Sequence, residues 1–144
     1  MKKYPALTLL ELLVVMAIVA VVAVPSFLAI GRFRVQQALA SSVEELAGVM
    51  KRAHIFSRES KDDRAWGVVY KDSATYMLVS GRPEDPAAEA EYGLAAPVVF
   101  ADEAFEVWFD QGTGDTGSEV LITMGGGGQE ARVVVSQTGL VEVR

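Results

Sequence analysis

The apolar positions of this chain follow three patterns in succession. Over residues 6–30 they run almost unbroken, ALTLLELLVVMAIVAVVAVPSFLAI, interrupted by a single charge, Glu11. Over residues 35–56 they recur every three or four positions, at 35, 39, 42 (a serine), 46, 49, 53 and 56, which is the stripe of one helical face. Glu44, Glu45, Lys51 and Arg52 fall mostly off that stripe. Beyond Arg64 the runs become short and alternating or continuously β-rich, bounded by Gly, Asp and Ser.

The first two patterns predict one long helix, from about Thr8 to about Phe56. Pro25 removes a helical hydrogen bond, so a kink or local break is expected there, and Gly31 is a second weak point. Arg32 and Arg34 are placed at the outer edge of a membrane-spanning first half, and the second half is expected to pack on a sheet. Residues 57–64 (SRESKDDR) read as a charged connector. Strands are predicted at 65–71, 75–80, 97–100, 104–109, 119–124, 131–136 and 140–143. Residues 72–74 (DSA) form a hairpin turn, 81–93 (GRPEDPAAEAEYG) a loop, 111–118 (QGTGDTGS) a turn region, and the four glycines 125–128 a flexible hairpin connection. One long helix followed by seven short strands makes an α+β fold, a helix packed on an antiparallel sheet.

Charge sharpens the division. From position 35 onward there are nine Lys/Arg against eighteen Asp/Glu, a balance of −9. So acidic a domain is a poor general binder of nucleic acid or of anionic lipid. The chain has no cysteine, which excludes a disulfide framework, a thiolate metal site and a thiol nucleophile. With 144 residues it has room for one water-facing domain beside the apolar run, not two.

Lys2 and Lys3 precede that run and orient it with the N-terminus in the cytoplasm and the rest translocated. Its fifteen Leu, Ile, Val and Phe residues between positions 7 and 30 favour insertion by about 5–9 kcal/mol. One carboxylate costs about 3 kcal/mol at the bilayer centre and less near its edge, so insertion wins despite Glu11. A secretory signal would end in a small-residue cleavage site after its apolar core. Here the small residue, Ala6, stands before it, and cleavage there would leave the apolar segment attached.

Residues 6–15, ALTLLELLVV, resemble the class III leader of type IV pilins and type II secretion pseudopilins. The resemblance implies a prepilin peptidase cut between Ala6 and Leu7, with N-methylation of Leu7. It puts Glu11 at the fifth mature position, where the family has its glutamate. The family usually has Gly where Ala6 stands and Phe where Leu7 stands, and its major members carry the helix proline a few residues later than Pro25. Elementary electrostatics accounts for Glu11 as well, since a charge in hydrocarbon persists when paired or near the interface. The new Leu7 amine of a neighbouring subunit would supply the partner, in an assembly salt bridge. The helix end LAGVMKRAHIFSRES, the turn Phe109-Asp110-Gln111-Gly112 and the ending ARVVVSQTGLVEV are similar to GspH/FimT-like minor pilins and pseudopilins.

The resemblance implies a leader at 1–6, a transmembrane and filament-core helix at 7–30, and an extracytoplasmic α+β domain at 31–144. The implied protein is a single-pass inner-membrane precursor later drawn into a pilus or pseudopilus. Its partners are other pilin subunits, the prepilin peptidase and an inner-membrane assembly platform; it is no enzyme and needs no cofactor. A major filament-forming pilin, a membrane-tethered binding domain and a DNA-uptake pilin are the alternatives. Asp110, Asp115 and Glu119, on a Gly-rich loop, are the candidate calcium ligands, weighed against a solvated turn. His54, the single histidine, reads as structural. Lys51, Arg52, Arg58, Lys61 and Arg64 form a local basic stretch, but the acidic domain argues against DNA. Residues 125–128 lack the Lys-Ser/Thr of a phosphate loop. Trp66, Trp108, Phe100, Phe105 and Phe109 are expected in the core.

Overall fold

Helix α1 spans Leu9–Arg58 and continues through Pro25 and Gly31, so neither ends it. The computed structural model describes residues 9–102 and 104–144, with the side chains of all of these except 24–29. The chain divides into two compact units, Met1–Arg34 and Val35–Arg144. In the first, every Leu, Ile, Val and Met side chain between positions 9 and 22 is exposed, by 48–78% of its surface. Among the described residues no helix is long and apolar enough to cross a membrane. Leu7, Thr8 and the side chains of 24–29, all within the expected span at 7–30, lie outside them.

In the second unit the predicted stripe becomes the buried face of α1. Leu39, Ser42, Leu46, Val49 and Ala53 are buried, and Val43, Ala47 and Met50 widen the stripe by one position per turn. That is the broad apolar face of a helix lying on a core rather than the narrow seam of a coiled coil. Glu44, Glu45, Lys51 and Arg52 are exposed, as the pattern predicted. The helix ends where Ser57 turns inward. Its Oγ accepts from Trp66 N at 2.7 Å and donates to Trp66 O at 3.3 Å, tying the helix end to the first strand. A short 3-10 turn over Lys61–Asp63 completes the connector.

Eight strands follow among the described residues: β1 (Ala65–Asp72), β2 (Thr75–Arg82), β3 (Asp85–Gly93), β4 (Val99–Phe100), β5 (Glu106–Phe109), β6 (Val120–Gly126), β7 (Gln129–Val135) and β8 (Val141–Val143). They form two antiparallel sheets, ordered β3-β2-β1-β5 and β4-β6-β7-β8. Buried residues of α1 and of both sheets join in one core. Met50 and Leu46 come from the helix, Val68, Tyr76 and Phe109 from the first sheet, and Ile122, Met124 and Val133 from the second. Each such side chain contributes about 1.5–3 kcal/mol by leaving water. The architecture is the expected α+β, pilin-like one.

Three local expectations are corrected. Residues 81–93 are not a loop: 85–93 form β3, paired only with β2. The run DPAAEAEYG has no large apolar alternation because only Ala90 and Tyr92 of the strand turn partly inward. As an edge strand it tolerates Pro86, whose missing N–H would break a central ladder. A bulge opposite Leu78 and Val79 skips Glu89, whose Oε1 accepts from buried Ser80 Oγ at 2.6 Å. Trp108 is not in the core. Val107 and Phe109 face inward, so period-2 alternation puts Trp108 on the opposite face. There its indole lies over Gly67, so closely that a Cβ on that glycine would stand 2.8 Å from Cδ2, and its Nε1 donates to Glu106 Oε1. The glycines at 125–128 are not a loose connection. Gly125 and Gly126 belong to β6, and the turn itself is Gly127-Gly128, both at positive φ, as the tight hairpin turn requires. A Cβ on Gly127 would meet Val35 Cγ1 at 2.7 Å, so the hairpin tip is seated on the helix.

The β1–β2 turn is fixed as its residues predict. Ala74 N donates to Asp72 Oδ1 at 2.9 Å, an Asx turn. That bond, above all, holds the Asp72 carboxyl below the usual carboxylate range.

Candidate functional site

The predicted chemistry of processing and assembly sits at the N-terminus. Ala6 and Leu7, the predicted cleavage and methylation residues, lie outside the described residues. Glu11 is described: it is exposed and lies in the first turn of α1 as described. The surface around it is apolar: Leu9, Leu10, Leu12 and Leu13 are 54–78% exposed. An anionic group on such a surface can recognise one cation brought to it in an apolar environment, and the reward for doing so rises as water is excluded.

The other candidate residues gather at the far end of α1. Asp110, Asp115 and Glu119 are all exposed. The loop that carries the first two is closed by its own main chain, Asp110 N to Asp115 O and Gly114 N to Asp110 O, both at 2.8 Å. Among the described residues no three His, Asp or Glu side chains are grouped so as to hold a metal ion. His54 is partly buried between this loop and the β7–β8 turn, with its ring 5.6 Å from that of Phe109. Burial and then the Arg58 guanidinium lower the imidazole below its usual value, and Asp115 opposes them.

Two members of the basic stretch are engaged with aromatic rings. Lys61 Nζ lies 3.9 Å from the Phe56 ring centroid and 5.0 Å from that of Trp66. Arg52 Nη1 donates to Tyr92 Oη at 3.3 Å. An open groove of about 720 Å3 runs along the β2–β3 turn, and it mixes Arg64 and Arg82 with Asp63, Glu84 and Asp85.

Neither Ser57 nor the meeting of two glycine turns on His54 stood out in the sequence. Ser57 continues the three-and-four spacing after Ala53, which was the available signal. The glycines gave none, because Gly114 and Gly139 are 25 positions apart in the sequence and meet only in the fold.

Residues 1–27 match the prokaryotic N-terminal methylation motif. The match ends inside the apolar run and leaves the second unit outside it. No curated protein and no solved structure matches the chain.

Proposed function

We propose, from the premise that this chain is a prepilin of type IV pilin or pseudopilin type, that it is a GspH/FimT-like minor subunit working at or near the filament tip. Its motif implies a membrane-anchored precursor, processing by a prepilin peptidase and assembly with other pilin subunits. In the proposed sequence of events Lys2 and Lys3 stay in the cytoplasm, residues 7–30 span the inner membrane, and residues 31–144 face the periplasm. The peptidase cuts between Ala6 and Leu7 and methylates Leu7. The subunit is then lifted into a pilus or pseudopilus, where Glu11 pairs with the Leu7 amine of a neighbour. The protein is the peptidase's substrate and its own work is structural.

The observation that carries this reading is the match of residues 1–27 to the methylation motif, on a stretch whose Leu, Ile, Val and Met side chains between positions 9 and 22 are exposed. The intact mass of the protein extracted from its native membrane tests it. Loss of residues 1–6 together with one added methyl group is the expected result. An uncut chain would remove the amine that Glu11 needs and leave a tethered domain. A cut after the apolar run would mean an ordinary secreted protein.

A further inference from the structure

The loop after β5 and the turn between β7 and β8 converge on one side chain. A Cβ built on buried Gly114 would lie 2.5 Å from His54 Cδ2 and 2.6 Å from Nε2. One built on Gly139 would lie 2.6 and 2.9 Å from the same two atoms. Both glycines hold positive φ, 80° and 76°, so each presents bare main chain to the imidazole edge where a side chain would collide. The two segments are also bonded together: Thr116 N donates to Gln137 O at 2.9 Å and Thr116 Oγ1 to Ser136 O at 2.8 Å. The first is bonded to the helix end, Gly112 N to Ser57 O at 2.8 Å. The imidazole is therefore the platform on which both segments rest.

Among the described residues, two charged groups act on that platform. Arg58 stands one turn further along α1 and repels a positive ring, and Asp115, beside Gly114, attracts it. The turn over residues 136–140 (SQTGL) and Phe109 carry no ionisable group. Protonation puts a full charge on a ring edge that faces packed main chain in place of water, and desolvation disfavours that form.

We propose that His54 is a proton-operated latch: the neutral imidazole seats the 110–118 and 136–140 segments on the end of α1, and the imidazolium releases them. The sign follows from linkage. Burial, then Arg58, holds the seated imidazole below its free value, against the pull of Asp115. The contribution of the neutral ring to seating is therefore full above about pH 6.5 and is lost as the pH falls from there through the lowered value. The part of the domain that responds is this loop pair, while the β1–β2 hairpin keeps its structure.

Hydrogen exchange of the full chain in detergent, corrected for intrinsic rates, tests the latch at about pH 7.5 and about pH 5, on either side of the imidazole range. The expected result is faster exchange in 110–118 and 136–140 at the lower pH, about tenfold for each unit by which seating lowers the imidazole pKa, with β1 and β2 unchanged. H54Q removes the pH dependence, and D115N moves its midpoint to lower pH by removing the attraction that favours the charged ring. Equal loop protection at both pH values, or acid loosening that persists in H54Q, would overturn the proposal. If H54Q does not fold, the NMR titration of His54 in the unaltered chain decides. Its midpoint must coincide with that of loop release, and a mismatch overturns the latch.

Discussion

Two stretches of the same helix treat similar residues in opposite ways. Over positions 9–22 the Leu, Ile, Val and Met side chains are 48–78% exposed, whereas Leu39, Val43, Leu46, Val49 and Met50 are exposed by 6% or less. Residue type does not make the difference, since both stretches are rich in Leu and Val. Arrangement does. The second stretch confines its apolar side chains to one face, and this chain builds two sheets to cover that face. The first is apolar all round apart from Glu11, and a helix of that kind needs apolar surroundings on every side. The described side chains of this stretch are not confined to one face. The methylation motif lies on this same stretch, and under the proposed function its surroundings are lipid before assembly and other subunits after it.

Glu11→Ala breaks the comparison at its most sensitive point. In the proposed assembly pair, removing one partner of a buried charge pair costs about 3–5 kcal/mol, so incorporation into sheared, quantified filaments should fall by about a hundredfold or more, with an unchanged thermal melt of the domain. Undiminished incorporation would make the first stretch a plain tether. Leu46→Ala acts on the other side. Its side chain is fully buried, and truncation should lower the domain's stability by about 2–5 kcal/mol in urea titration. Under the proposed processing, removal of residues 1–6 should remain complete, because the methylation motif lies outside the second unit.

Gly139→Ala is a smaller perturbation within the second unit. It forces a side chain into positive φ and against the Gly114 carbonyl and His54, at about 1–3 kcal/mol, read from the shift in melting temperature. Tyr76→Phe should move stability the other way. Tyr76 is fully buried and stacks on Tyr92 at 5.4 Å, and its hydroxyl has no hydrogen-bond partner among the described residues. Burial, reinforced by Glu45 and then Tyr92, pushes the phenol pKa far up, so the group is a neutral, unpaired hydroxyl. Replacing it should gain about 1 kcal/mol by removing an unsatisfied polar atom, and a loss of that size would show that the hydroxyl has a partner.

What could be read in the sequence was whatever depends on neighbours within a few positions. The spacing from Val35 to Phe56 determined which helical face is buried, because a helix brings positions three and four apart together. Asp72 determined its own turn through a bond to Ala74, two residues away. The order of Lys2, Lys3, Ala6, the apolar run and Glu11 is a linear pattern, and residues 1–27 match the methylation motif. Tertiary structure decided the rest. Glu-rich 85–93 became a strand because β2 offered its free edge and an edge strand needs little apolar surface of its own. Trp108 left the core because Val107 and Phe109 took the inward positions of β5. Gly127 became a seat for Val35, and Gly114 and Gly139 became the walls around His54. Each of these outcomes depends on atoms from segments far apart in the chain. Steric fit between such segments exists only once the backbone has brought them within contact distance, and no local pattern of residues encodes it.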